Sequence, residues 1–86
     1  MSDDTIYHRI PLLRAERGMS RRELADAVGV HYQTIGYLER GEYSPSLALA
    51  FRIAEVFDLP LTEVFSPRPF PSLAEVLREA RTMDTP

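Results

Sequence analysis

The 86-residue sequence contains no cysteine. That excludes a disulfide framework and any thiolate metal site, and it suits an intracellular chain. Lysine is missing as well, so all ten basic residues are arginine. Arginine brings a planar, permanently charged donor fork that fits phosphates and guanine edges, although genomic base composition gives the same bias. There is no apolar run of about 18 residues and no signal-peptide pattern, so a membrane is not expected as a partner and a cytoplasmic location is. No alternating stretch long enough for a strand stands out, and no internal repeat. The two histidines, His8 and His31, have no acidic or thiol cluster at ligand spacing, which argues against a metal. Neither a Ser/His/Asp grouping nor a carboxylate pair is present, so catalysis and a cofactor are not expected.

What the chain does have is helical periodicity and an uneven spread of charge. Its formal net charge is −3, yet residues 9–43 hold six arginines against five acids. Residues 44–65 set Arg52 against Glu55, Asp58 and Glu63. An anionic partner would therefore meet the first half. A chain this short buries only about 60–65% of its unfolded surface, so association would help it.

The opening MSDDT reads as a disordered start. Ile6, Ile10 and Leu13 recur at helical steps and predict a helix from His8 or Arg9 to Arg17, with Pro11 tolerated in the first turn and Gly18 as terminator. Ser20 to Glu23 is a capping box that opens a second helix, 21–27, with Leu24, Ala25 and Val28 inward. Gly29 makes a turn. A third helix, Tyr32–Arg40, has only Ile35 and Leu38 as strong core residues and offers the rest of its surface outward. Ser46 opens a fourth, 46–57, whose apolar face is Leu47, Ala50, Phe51, Ala54 and Phe57, with Leu49, Ile53 and Val56 as a second stripe. Leu61 to Phe65 reads as one short helical segment. Ser66 to Pro71 carries three prolines in six residues and predicts an extended linker. A second capping box, Ser72 to Glu75, starts a helix to about Arg81, with residues 82–86 frayed. Its apolar residues Leu73, Val76 and Leu77 are expected to dock on the fourth helix or on a partner subunit.

Residues 21–40 have the layout of a helix-turn-helix. Two steeply crossing helices need a small residue at the contact, Ala25, a turn glycine, Gly29, and apolar residues between them, Leu24, Val28, Ile35 and Leu38. Each feature alone is common; together at this spacing they are fairly specific.

The segment ERGMSRRELADAVGVHYQTIGYLERGEYSPSLALAFRIAEVFDLPLTEVF resembles the phage-repressor-like helix-turn-helix family, of the Cro/repressor or xenobiotic-response-element type. From Arg9 to Phe65 the likeness covers about two-thirds of the chain. It implies an all-α, five-helix lambda-repressor-like bundle over residues 1–66, with residues 67–86 forming a Pro-rich linker and C-terminal helix outside it. It further implies a DNA-binding transcriptional regulator, active as a homodimer on a two-fold-symmetric double-stranded site. The third helix would enter the major groove and present His31, Tyr32, Gln33, Thr34 and Tyr37. Gln33 suits the bidentate contact to adenine, and the tyrosines suit thymine methyls or phosphates. Family members more often carry polar or basic residues at the two tyrosine positions. Arg21 stands where the family usually has Gln and would grip a phosphate at the positive end of helix 2. Arg40 replaces a common Asn, and with Tyr43 and Ser44 it lies in a loop that touches the DNA backbone. Glu42 replaces a frequent basic residue. Glu39 would pair with Arg14 and tie helix 1 to the reading helix.

Other readings stand beside these. Tyr32 and Tyr37 suit protein packing as well as DNA, Tyr7 suits core or inter-subunit packing, and His31 suits an N-cap as well as a phosphate contact. Arg22, Arg52 and Glu55 are most simply a solvated face. Gly36 either permits close approach of DNA or of a neighbouring side chain, or is unselected. The rival function is a protein-interaction module of the same fold, such as an antitoxin or co-regulator, with the C-terminal helix meeting the protein partner.

Overall fold

The structure is a computed structural model and describes residues 5–83, with side chains to residue 80. The first four residues and the last three, placed above in a disordered start and a frayed end, lie outside the described residues. Six helices and a two-stranded sheet follow in the order β1 (Tyr7–His8), α1 (Ile10–Glu16), α2 (Arg21–Val28), α3 (Tyr32–Glu39), α4 (Leu47–Val56), α5 (Leu61–Val64), β2 (Phe65–Ser66) and α6 (Leu73–Met83).

The sheet corrects the reading of the sequence. Tyr7 pairs with Ser66 and His8 with Phe65, antiparallel. Strands of two residues show no alternation, and the pairing joins positions far apart in the chain, so neither strand has a local signature. The pairing also delays α1. Ile6 is an exposed residue ahead of β1 rather than part of a helix, and the Arg9 amide donates to the Val64 carbonyl at 3.1 Å. Helix α1 then starts at Ile10, where the His8 Nδ1 accepts from the Ile10 amide at 3.2 Å. Pro11 sits in the first turn, where its missing N–H costs no intrahelical bond.

Helix α2 opens with a complete capping box. The Ser20 hydroxyl accepts from the Glu23 amide, and the Glu23 carboxylate accepts from the Ser20 amide. Gly29 ends it at φ +77°, a left-handed conformation that costs a residue with a Cβ about 1 kcal/mol or more. This turn lets α3 cross back onto α2, α2 rests on α4, and one core of Leu24, Ala25, Val28, Ile35, Leu38 and Ile53 runs through them. Ile10, Phe57 and Val64 close the core from the other side.

Helix α4 is turned differently from the sequence expectation. Leu49, Ala50, Ile53 and Ala54, with Phe57 at its C-cap, are buried, whereas Leu47 and Phe51 are exposed. At about 100° per residue, Ile53 and Phe57 define the inward direction, and Leu47 and Phe51 fall roughly 100–140° to one side. A helix with apolar residues almost all round lets packing choose the face. The C-terminal carbonyls of α4 meet Arg17, whose guanidinium donates to Val56 O at 3.3 Å and to Phe57 O. Arg17 thus serves the negative end of α4 as well as sitting at that of α1.

Residue Ser66 belongs to β2, so the extended linker is shorter than expected and begins at Pro67. The Arg9 guanidinium stacks on the Phe70 ring at 4.1 Å. Helix α6 runs on to Met83, past the expected end near Arg81. It does not lie down on α4: residues 73–80 are all exposed. Leu49 and Ile53 are covered without it, by the body of the bundle.

Candidate nucleic-acid interface

Helix α3 begins at His31, whose Nδ1 accepts from the Gln33 amide at 3.2 Å. The imidazole therefore caps the helix with an acceptor nitrogen, and the His31 ring lies 4.8 Å from that of Tyr32. From this start, Ile35, Gly36 and Leu38 turn inward and are buried, Thr34 is half-buried, and Tyr32, Gln33 and Tyr37 face outward. Arginines flank the two tyrosines. The Arg22 guanidinium lies 4.6 Å from the Tyr32 ring centre, and that of Arg40 lies 5.3 Å from Tyr37. The result is a surface on which aromatic faces and permanent positive charges alternate, suited to stacking and to phosphate contact.

Arg21, Tyr32, Gln33, Gly36, Tyr37 and Arg40 line one shallow depression. Gly36 forms its floor: a Cβ there would stand 3.2 Å from Arg40 Nη1 and 3.9 Å from Arg21 Nη1. The close neighbour of this glycine within the chain is the Arg40 side chain. Tyr43 and Ser44 lie apart, on a second depression shared with His8, Leu38 and Gly41. Arg40 is partly neutralised by Glu42, 3.1 Å away and equally exposed.

Below this face sits an ion cluster. Glu39, whose side chain is 2% exposed, accepts from Arg14 Nε at 2.6 Å and from Arg21 Nε at 2.8 Å. Arg14 Nη2 adds a bond to Glu39 at 3.1 Å, and its Nη1 donates to Met19 O at 3.0 Å. Burial by itself raises the Glu39 carboxyl, but the bonds and charges of Arg14 and Arg21 outweigh it and hold the group below its ordinary value of 4.5. The Glu23 carboxyl of the capping box is lowered too, by its hydrogen bonds with Ser20. Glu39 thus links α1, α2 and α3, and Arg21 divides its donors between this buried carboxylate and the outer surface.

Two features escaped sequence reasoning. Arg22, read as solvated surface, belongs with Tyr32, a contact that arises only where α2 and α3 cross and that the sequence does not mark. Arg21 as a second partner of Glu39 had no local signal either. Among the described residues no group of three or more His, Asp or Glu could hold a metal ion, and no helix is long and apolar enough to cross a membrane.

Residues 12–64 match the sequence pattern of the helix-turn-helix family HTH_3. An HTH-type transcriptional regulator of Archaeoglobus fulgidus is 49% identical over 57 residues, covering 66% of this chain and 81% of the relative. The HTH-type transcriptional regulator YgzD of Bacillus subtilis is 40% identical over 58 residues, 67% of this chain and 88% of its own length. Among solved structures, the restriction-modification controller protein C.AhdI from Aeromonas hydrophila superposes with a TM-score of 0.61 at 31% identity, over 64% of this chain and 83% of that one. An HTH_3 family transcriptional regulator from Vibrio cholerae gives 0.58 at 33% identity, over 64% of this chain and 31% of its own. The pattern spans more than half of the sequence and the whole of α2, the turn and α3, and the chain belongs to the HTH_3 helix-turn-helix family.

Proposed function

We propose that the chain is a sequence-specific DNA-binding transcriptional regulator that places α3 in the major groove of double-stranded DNA. The observation that carries this reading is the division of α3 into two sides. Ile35, Leu38 and the Glu39 cluster anchor it, while Tyr32, Gln33 and Tyr37 face outward among Arg21, Arg22 and Arg40. Gln33 reads an adenine edge, and the tyrosines contact thymine methyls or the backbone. Arg21, Arg22 and His31 lie at the starts of α2 and α3, where helix dipoles favour phosphate. Arg40, Tyr43 and Ser44 follow the backbone beyond α3, with Thr34 at the edge of the reading side.

The DNA-binding unit is residues 1–66, and two copies bind a pseudo-palindrome with half-sites about 34 Å apart. The protein works in the cytoplasm, without a cofactor or a catalytic step. Selection of bound duplexes from random sequence, followed by anisotropy titration at several salt concentrations, tests the reading. A two-fold-symmetric site should emerge, with log K falling by about 0.9 per phosphate contact for each tenfold rise in salt. Binding indifferent to both sequence and salt would overturn it.

A further inference from the structure

We propose that α6 is an exchange arm: its apolar face seats in a groove on a second copy of this chain, and that copy's arm returns the contact. The inference builds on the homodimer proposed above and supplies its surface. The family match ends at residue 64, before the arm begins.

Among the described residues two apolar surfaces are left uncovered. One is convex. Leu73, Val76 and Leu77, at steps of three and one, share a face of α6 and are 74%, 44% and 53% exposed. The helix is capped, with the Ser72 hydroxyl accepting from the Glu75 amide at 3.2 Å. Yet its 11 residues fall below the about 12–15 at which an isolated helix becomes even marginal in water, so a partner surface would stabilise it. The other surface is concave. Ile6, Pro45, Leu47, Ala50, Leu61 and Phe65 line a groove, with Ser44 at its edge, and Phe51 stands one helical turn from Leu47, 48% exposed.

The linker favours a second copy over the chain's own groove. The arm leaves the body at β2, whose Phe65 is itself part of the groove wall. Folding back at once would need a turn, and Pro67, Pro69 and Pro71 steer the residues before them toward extended backbone. Arg9 further holds Phe70 by its ring. The arm accordingly stands off: the radius of gyration is 14.7 Å and the longest extent 50 Å, where a compact chain of this length has a radius of about 12 Å. An arm already extended loses little freedom on reaching a neighbour. Two-fold symmetry then repeats each contact, so each copy contributes both a helix and a groove. That doubling brings a small interface toward the roughly 1,200–2,000 Å² of stable pairs.

Because the chain has no cysteine, introduced thiols are unique. Phe51→Cys and Leu77→Cys chains, each exposed at the altered position, would be mixed and treated with a short bismaleimide. The expected dominant product is a covalent heterodimer joining groove to arm. In the double variant, Phe51→Cys with Leu77→Cys, the link should run between chains; a link confined within one chain would overturn the exchange in favour of an arm folded on its own body. Sedimentation of the unaltered chain and of Leu73→Asp/Leu77→Asp separates the remaining cases. A dimer that becomes monomeric in the variant, with circular dichroism showing the body still folded, supports the arm. If both are dimers, the exchange falls and the homodimer stands. If the unaltered chain is a monomer at high micromolar concentration, both fall.

Discussion

Glu39 ties three helices together through one carboxylate. Its carboxylate is buried and shared by Arg14 and Arg21, so Glu39→Gln leaves two guanidiniums without their counter-charge. A fully buried pair losing one partner costs about 3–5 kcal/mol. Arg21 is half-exposed and screened, which brings the expected loss to about 2–3 kcal/mol. Thermal or urea unfolding should show it as a drop of more than about 8 °C in a domain of this size. The pH dependence follows from the lowered carboxyl. A group whose folded value lies below its unfolded one stabilises fully above the unfolded value and loses that contribution as pH falls through the folded one. With an ordinary value of 4.5 for Glu39, the urea midpoint should stay level from pH 7 to about 5 and fall below about 4.5. In Glu39→Gln that acid slope should be shallower. On the outer side, Gln33→Ala should lose about 1–3 kcal/mol of discrimination at one base pair. Arg22→Ala should instead weaken binding to all sequences alike and reduce the salt slope by about one. Anisotropy against cognate and mismatched duplexes separates the two.

At the scale of the element, α3 carries a glycine in its interior. Gly36→Ala should raise helix propensity by about 1 kcal/mol. The new methyl would press only on Arg40 Nη1, at 3.2 Å, the end of a flexible and half-exposed side chain that can move aside. The variant should therefore melt higher; a lower melting temperature would mean that Arg40 is held in place. Legibility in the sequence also divides by element. Helices α2 and α3 announce themselves through the capping box at Ser20, the turn at Gly29 and sparse inward residues, so their bounds and faces could be read directly. Helix α4 could be located but not oriented, because apolar residues on most sides leave the choice to packing against α2 and α5. The strands β1 and β2 could not be read at all, since a two-residue pair gains its meaning only from the partner 59 positions away (Tyr7 and Ser66). The outward residues of α3 were legible from the resemblance and from their polarity, whereas the stacking of Arg22 on Tyr32 emerges only once the two helices cross.

For the molecule as a whole, the net charge of −3 does not oppose an anionic partner. Glu39 is buried and paired, Glu42 is paired with Arg40, and Glu55, Asp58 and Glu63 belong to the α4–α5 half. The same scale governs the arm. If α6 joins two copies, folding and association are linked, and the melting temperature should rise with protein concentration. The Leu73→Asp/Leu77→Asp chain should melt at a temperature independent of concentration, and differential scanning calorimetry over a range of concentrations reads the difference.

The two-sided build of α3 has a further consequence. Tyr32, Gln33 and Tyr37 take no part in the core, while the residues that hold the helix all lie on its other side. The outer positions can then be rewritten without renegotiating the fold. Grafting a different trio onto this backbone should redirect which operator is chosen and leave the unfolding curve nearly in place, as duplex selection and a urea titration of each graft would show.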